Sequence, residues 1–251
     1  MSSTIWTQCA GGSELRPLRL EPWRAVEAQH QVSTRKLVDS DAEQQLLEEM
    51  IDAAKPADRT RGRLHYLLST PFRYPPLRYG SRFGSRQEPG IWYGAETQRT
   101  AFAEVAYYRL LFLEGTKADL GLVQTELTLF RATLVTQNGV DLTRPPFDAH
   151  RALLTSPSSY TVTQALGFEM RGANVEAFRY ISARDPDAGT AVGAFAPAVF
   201  GRRQPRSIET WHCAASKARV EFTRRDYFRR ASHRFERDVF LVDGALPSPA
   251  V

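Results

Sequence analysis

Residues 71–109 constrain the fold of this chain more than any other segment, because they pass from loop to strand to helix within a short distance. Glycines at positions 80, 84, 90 and 94 interrupt regular structure and allow the backbone to approach a ligand closely. The aromatic and β-branched run Ile91–Tyr93 is typical of a short buried strand. Together these features predict a domain in which strands and helices are mixed.

The strand is followed by a predicted helix that carries an unusual carboxylate. Thr97 can cap its first turn through the side-chain oxygen. Apolar side chains at helical spacing predict the buried face, at Ala101, Phe102, Val105, Tyr108 and Leu111. Glu104 lies within this face, where a carboxylate is rare unless it is paired or takes part in function. We therefore single out Glu104 as a candidate functional residue.

These residues belong to a longer ordered pattern. It runs through Arg73, Gly80–Phe83, Tyr93, Ala101 and Glu104 and continues far downstream at Phe178–Arg184. The pattern resembles the RES domain, a family named for an arginine, a glutamate and a serine, over roughly residues 62–202. The resemblance implies an α/β (α+β) fold similar to that of the ADP-ribosyltransferases, with a mixed sheet flanked by helices.

The resemblance also implies a function. Members of this family consume NAD, many as the toxin of a toxin–antitoxin pair, so we expect a glycohydrolase or phosphorylase that cleaves the nicotinamide–ribose bond. NAD is then the substrate, and no separate cofactor is expected. An Xre-type antitoxin is the expected protein partner, and a homodimer stays open. Two alternatives also stay open: a protein ADP-ribosyltransferase, and a non-catalytic basic module that binds nucleic acid or a partner.

The resemblance assigns catalytic roles to Glu104, Arg82 and Tyr93. Cleavage develops positive charge on the ribose, as in other oxocarbenium-like transition states, and Glu104 is expected to oppose that charge. Arg82 is expected to bind the pyrophosphate through forked donors, and Tyr93 to stack on nicotinamide or ribose. Each also has an ordinary interpretation, since a lone arginine more often pairs with a surface acid and a strand tyrosine more often belongs to the core.

Three further residues form the expected substrate-binding set. Arg73 and Arg78 are both candidates for the first arginine of the family pattern and for phosphate binding. Ser182, at the end of a predicted strand at Val175–Ser182, is expected to hydrogen-bond an amide or phosphate of the substrate. Its ordinary interpretation is a strand-end cap.

The composition argues against several other classes of protein. The net charge of +5 comes mainly from arginine, which suits phosphate binding but also follows from a high-GC genome. The two cysteines and five histidines have no disulfide-framework or metal-site spacing, so no metal is predicted. No leader and no bilayer-spanning run is recognised, so a cytoplasmic protein without a membrane contact is expected.

The chain is predicted to comprise a flexible arm over residues 1–21 and one catalytic domain over 22–251, with extensions on both sides of its core. A helix capped by Ser40 is expected to pack through Leu46, Leu47, Met50 and Ile51. Further predicted elements are strands at Trp23–Val32, Leu120–Val135, Ala191–Phe200 and Val239–Val242, and a helix at Ser158–Leu166.

The basic segment Arg224–Arg234, in which arginines alternate with aromatic residues, is the strongest rival signal. Our first interpretation is an amphipathic helix with a solvated basic face. The second is a docking surface for an acidic partner. Nucleic acid binding is the least favoured interpretation, because acids at positions 221, 226, 236 and 238 dilute the positive charge.

Overall fold

The structure is a computed structural model. It describes residues 4–28, 38–54, 63–74, 76, 78–226 and 228–248. The part of the predicted strand Trp23–Val32 beyond residue 28 lies outside these ranges. Among the helices described, none combines the length and apolar character needed to cross a membrane.

The described residues contain ten strands that form one sheet. They are β1 (Arg16–Leu20), β2 (Trp23–Glu27), β3 (Trp92–Ala95), β4 (Val123–Arg131), β5 (Leu134–Asp141), β6 (Ala177–Ile181), β7 (Thr190–Ala194), β8 (Ser207–Ala215), β9 (Arg219–Arg224) and β10 (Ser232–Glu236). Their order in the sheet is β1-β5-β6-β7-β3-β2-β4-β8-β9-β10. Within this sheet β5 and β6 run parallel and the other neighbours antiparallel, which makes it the mixed sheet that the sequence predicted.

The helices lie outside the sheet. They are α1 (Ile5–Gln8), α2 (Asp41–Ala54), α3 (Tyr66–Arg73), α4 (Gln98–Gly115), α5 (Arg151–Leu154) and α6 (Thr161–Gly172). Short 3-10 turns lie at Gly11–Glu14, Phe147–His150, Pro197–Val199 and Arg237–Phe240. The α/β fold expected from the sequence is therefore present.

The two faces of the sheet bury separate apolar clusters. On one face, α4 packs Phe102 against the Trp211 ring, with a centroid separation of 4.7 Å, and α6 buries Leu166 in a cluster with Phe178. On the other face, α3 covers a cluster that contains the fully buried Trp92. Strand β3 contributes to both faces because successive side chains of a strand point in opposite directions.

The described N-terminal residues, from Thr4 onwards, are part of this packing, which corrects the expectation of a flexible arm for this part of residues 1–21. Helix α1 buries Ile5, and Cys9 follows it into the same cluster. Strand β1 then pairs with β5 along one edge of the sheet. The glycine pair at positions 11 and 12 begins a 3-10 turn between these two packed elements.

Helix α4 begins after Thr97 as predicted, but its buried face is rotated from the predicted one. Tyr107 is fully buried, whereas Tyr108 is half exposed. Ala101 and Phe102 are buried as predicted, but the buried face then continues through residues 103, 106, 107, 110 and 113 rather than through Val105, Tyr108 and Leu111. The helix packs on the sheet and also on the turn at Arg237–Phe240, and this second contact draws Tyr107 inward.

Helix α6 continues past Gly167, where the predicted helix at Ser158–Leu166 was to end, and it begins after Tyr160 without a side-chain cap. Gly167 is instead a point of close packing. A Cβ atom at this position would lie 1.9 Å from the carbonyl oxygen of Phe83. The glycine therefore lets α6 approach the segment that carries Arg82.

Three further predictions differ from the structure. The described residues of the basic segment Arg224–Arg234 contain no helix, since Arg224 ends β9 and residues 232–234 belong to β10. The predicted strand Val239–Val242 begins within a 3-10 turn. The predicted apolar face of α2 is not packed, since Leu46 and Met50 are 57% and 62% exposed.

Candidate functional site

The N-terminal cap of α4 sets the position of Glu104. The Thr97 side-chain oxygen accepts a hydrogen bond from the Thr100 backbone N–H at 3.1 Å, which confirms the predicted cap. Glu104 lies less than two turns further along the helix and is half-buried. The cap therefore fixes where the helix starts and, with it, the direction in which the carboxylate points.

Ser182 binds this carboxylate directly. Its hydroxyl donates to Glu104 Oε1 at 2.5 Å, and its oxygen accepts the backbone N–H groups of Arg184 and Asp185, each at 3.1 Å. Both acceptor positions of the oxygen are thus filled by N–H donors, so the single hydroxyl proton is directed at Glu104. Ser182 is 3% exposed and directly follows β6. The structure thus brings together two residues that lie 78 positions apart.

Three tyrosines surround the pair: Tyr160 and Tyr180 are buried, and Tyr108 is half exposed. The hydroxyls of Tyr108 and Tyr160 lie 3.2 Å apart. Burial raises the pKa of Tyr180 well above its usual value, and the nearby Glu104 carboxylate raises it further. Burial also raises the pKa of Tyr108, again with contributions from Tyr160 and Glu104. The phenols of Tyr108 and Tyr180 are therefore neutral hydrogen-bond donors at physiological pH, placed near a carboxylate.

Tyr93 fixes the loop that carries Arg82. Its hydroxyl lies 2.9 Å from Ser81 Oγ and accepts the Phe83 backbone N–H at 3.1 Å. Burial raises the pKa of Tyr93 to about 12, so the phenol stays protonated. A second contact comes from Arg24, whose Nη1 donates to the Tyr93 carbonyl oxygen at 2.5 Å. Tyr93 therefore organises the Gly80–Phe83 loop from the adjacent strand.

Arg82 is a buried cation with an unused hydrogen-bond donor. It is 8% exposed, and its guanidinium lies 4.7 Å from the centroid of the Tyr160 ring. Its Nη1 donates to the carbonyl oxygen of Ser156 at 2.9 Å. Its Nη2 is buried and has no hydrogen-bond partner. A buried donor without a partner is costly, so Nη2 is placed to donate a hydrogen bond to a ligand oxygen.

Arg73 and Arg78 lie on the segment that leads to this loop. Arg73 is in the last turn of α3, with its guanidinium 5.8 Å from the Tyr74 ring centroid. Arg78 is exposed and lies over the ring of Tyr79. Arg82 is thus the one of the three whose described contacts reach Tyr160, and phosphate binding by Arg73 and Arg78 stays a prediction.

The sequence did not single out Tyr160 and Arg184. Arg184 is 4% exposed, its guanidinium lies 3.7 Å from the Tyr107 ring centroid, and its Nη2 donates to the Tyr160 hydroxyl at 3.4 Å. It lay inside the segment Phe178–Arg184, and a signal for it was therefore present. Tyr160 precedes α6 without any motif, and only the tertiary packing places it between the two arginines.

The described residues contain no cluster of three or more histidine, cysteine, aspartate or glutamate side chains that could hold a metal ion. His212 and Cys213, neighbours on β8, point to opposite faces: His212 is exposed and Cys213 is buried. The polar groups described at the site are a carboxylate, hydroxyls and arginines.

The sequence that forms this site matches a known family of proteins. The family model described as the RES domain matches residues 56–216, which is more than half of the chain. It contains Arg82, Tyr93, Glu104 and Ser182. A search of curated proteins gave no match.

Proposed function

The chain belongs to the RES domain family, and from this premise we propose that it is an enzyme that cleaves the nicotinamide–ribose bond of NAD. The proposal rests on the resemblance for the substrate and on the geometry for the chemistry. The observation that carries it is the Glu104 carboxylate, held by the Ser182 hydroxyl at 2.5 Å among buried phenols.

Glu104 suits the charge that develops in this reaction. As the C–N bond to nicotinamide breaks, its electron pair goes to the ring nitrogen and positive charge grows on the ribose. A carboxylate fixed in advance opposes that charge without the cost of reorienting solvent. Ser182 is then a positioning residue, because its proton is committed to Glu104 rather than free for the substrate.

The remaining polar groups suit the rest of the substrate. Arg82 offers a buried and unpartnered Nη2 to a phosphate oxygen. Tyr93 holds the loop of Arg82 through Ser81 and Phe83, so its contribution is to position the arginine. Stacking of the Tyr93 ring on nicotinamide or ribose stays a prediction, because the two contacts within the protein involve its hydroxyl and not its ring face.

Release of nicotinamide from NAD by the purified protein tests the proposal. We expect release by the wild type and by Glu114→Gln, which alters an exposed carboxylate on the same helix. We expect little or none from Glu104→Gln of equal thermal stability. A folded wild-type protein that releases no nicotinamide, with or without phosphate, would refute the proposal.

We further propose that the enzyme is the toxin of a toxin–antitoxin pair, since loss of NAD would harm the cell that makes it. An Xre-type partner with a carboxylate on the inhibitory segment could occupy the arginine-lined site as a phosphate does. Expression without a partner should then arrest growth, and Glu104→Gln should relieve the arrest. Normal growth and undiminished NAD with soluble wild-type protein would instead indicate a slow enzyme with a metabolic role.

A further inference from the structure

A cavity of about 180 Å³ lies next to the Glu104 site and has no part in the chemistry above. Its walls come from Tyr107 on α4, from residues 183–186 directly after Ser182, and from the C-terminal residues 239–242 and 247. This last wall lies beyond residue 216, where the match to the family model ends. The cavity is therefore completed by a part of the chain outside the family match.

The cation in this cavity is Arg184, and it lacks a counter-ion. Its Nε atom is buried without a hydrogen-bond partner. Its guanidinium rests on the Tyr107 ring, and Nη2 makes one long hydrogen bond to Tyr160. In the described part of the chain no carboxylate forms an ion pair with it, whereas Arg179 in the same segment pairs with both Glu96 and Asp141. The nearby Asp185 carboxylate also lines the cavity, but it accepts the Asp187 backbone N–H at 3.1 Å.

A buried charge without a partner is costly to keep, whereas an arginine that meets an oxyanion gains two parallel hydrogen bonds. The Nε–Nη edge of a guanidinium is one of its forked donor pairs, and in Arg184 the Nε of this edge is vacant. The missing partner is therefore an anion with two oxygens on one side, such as a phosphate or a carboxylate.

The size of the cavity limits which ligands can fit. A cavity of about 150 Å³ can take up a molecule the size of benzene, and pockets for larger ligands measure about 300–1,000 Å³. The volume found here suits a single small group and excludes a whole dinucleotide. We propose that this cavity binds one phosphate group, with Arg184 as its cation and the C-terminal segment 239–247 as its cover.

The C-terminal cover is tied to the helix that carries Glu104. The Tyr107 hydroxyl donates to the carbonyl oxygen of Pro247, and Leu246 is buried in the same cluster as Tyr107. On the other side, the Arg184 backbone N–H donates to the same Ser182 oxygen that serves Glu104. The phosphate site and the Glu104 site thus share Ser182 and α4.

The use of this phosphate group rests on the proposed function, although the binding site does not. If the group is free phosphate, one of its oxygens bonds to the ribose carbon as the C–N bond breaks. The electron pair goes to nicotinamide, and a phosphate proton is released to water. The products are nicotinamide and a phosphorylated ADP-ribose. If it belongs to the dinucleotide, the cavity serves to position the substrate.

Binding is tested first with inorganic phosphate alone. We expect phosphate to raise the melting temperature of the wild type above that in chloride at equal ionic strength. Arg184→Gln should lose this shift. Val242→Trp, which fills the cavity from an exposed wall residue, should lose it too while leaving Arg184 intact. The matched control is Arg171→Gln, which removes another arginine stacked on a ring, 4.3 Å from the Phe195 centroid. It should keep the shift.

An undiminished shift in both Arg184→Gln and Val242→Trp would overturn the proposal, as would a shift of equal size with the control anion chloride. If Arg184→Gln does not fold, the result for Val242→Trp decides. A shift that is lost equally in Arg171→Gln would also count against the site, because it would reflect overall charge.

The source of the phosphate is then decided by NAD cleavage. Turnover that rises with phosphate in the wild type but not in Val242→Trp supports free phosphate as the acceptor. Turnover that phosphate inhibits in competition with NAD supports binding of a substrate phosphate. If NAD is not cleaved at all but the shift and its loss are observed, the binding site stands and the proposed function fails.

Discussion

Arg179 and Arg184 lie five residues apart on one segment but have opposite surroundings. Arg179 on β6 donates to the Asp141 carboxylate at 2.6 Å and to both oxygens of Glu96, at 2.7 and 3.1 Å. Arg184, just past the end of β6, rests on an aromatic ring and has a buried nitrogen without a partner. Arg82 resembles the second case, since its Nη2 is also buried and unpartnered.

The difference shows how the same residue type serves structure and function. An arginine whose donors are met by carboxylates stabilises the fold and has little left for a ligand. An arginine supported by a ring keeps its charge and part of its donor set available. In this protein the paired arginine lies on the opposite side of β6 from Tyr180, which faces the Glu104 site. The following changes test whether the two sides can be disturbed separately.

The largest expected effect is a loss of NAD turnover when Glu104 is changed. Glu104→Gln keeps the shape of the side chain and removes the charge, so NAD turnover should fall by about 10²–10³-fold. The melting temperature should change little, because the amide can still accept the Ser182 proton. Nicotinamide release and thermal unfolding measured on the same preparation check this. Wild-type turnover in the folded variant would end the argument for Glu104.

A change at the ion pair of Arg179 should instead lower stability and leave turnover unchanged. Asp141→Asn removes the charge from a 3% exposed partner of Arg179 and should lower the free energy of unfolding by about 3 kcal/mol. Turnover per folded molecule should be unchanged. Urea unfolding beside an activity assay measures both. Asp187→Asn, in an exposed pair with Arg99, is the control and should have little effect.

The Asp141 carboxylate also makes the stability of the fold depend on pH. Burial alone would raise the pKa of Asp141, but hydrogen bonds from Thr143 and the Arg179 charge outweigh it and lower the pKa below 3.8. A lowered pKa in the folded state contributes stability above pH 3.8, and this contribution is lost as pH falls through the folded-state value. The acid-side loss of stability should therefore be shallower in Asp141→Asn than in the wild type.

A smaller effect is expected when the support of Glu104 is removed. Ser182→Ala should lower kcat about tenfold, the equivalent of about 1.4 kcal/mol for a hydrogen bond to a charged group. KM should change little, because the serine proton is directed at Glu104. Ser182→Thr keeps the hydroxyl and should recover part of kcat. A change confined to KM would indicate that Ser182 binds substrate directly, as the sequence suggested.

The smallest effect distinguishes the arginines. Arg82→Lys should raise KM several-fold, since an ammonium cannot reproduce forked donors, and Arg78→Lys should leave it unchanged. Steady-state kinetics on the two variants suffice. Equal effects of both substitutions would show that the exposed Arg78 also contacts NAD and would reopen which arginine is the first of the family pattern.

Local signals in the sequence accounted for the centre of the fold. The strand at β3, the Thr97 cap and the start of α4 were predicted because each depends on neighbouring residues. The rotation of the α4 buried face was not, because it is caused by contact with residues more than one hundred positions away. Strands β9 and β10 were missed because their exposed faces carry charged residues that resemble a basic helix.

The site was predictable to the same degree. Glu104 and Ser182 followed from an ordered pattern, and the structure brings them into contact. The direction of the Ser182 proton could not be predicted, because it depends on the N–H groups of the turn after β6. The position of Tyr160 depends on the packing of α6 against Phe83, for which Gly167 is required. Pairwise geometry of this kind is not encoded in local spacing.

The strand order also has a consequence for folding kinetics. Strands β1 and β2 are separated by two residues in sequence, yet β5, β6, β7 and β3 lie between them in the sheet. The meander β8–β9–β10 pairs sequence neighbours and can form early, whereas both partners of β3, β2 and β7, are distant from it in sequence. During refolding, we expect the backbone amide of Phe222 to gain protection from hydrogen exchange before the backbone amide of Tyr93. The Glu104 site would then assemble last, and partly folded chains would be inactive.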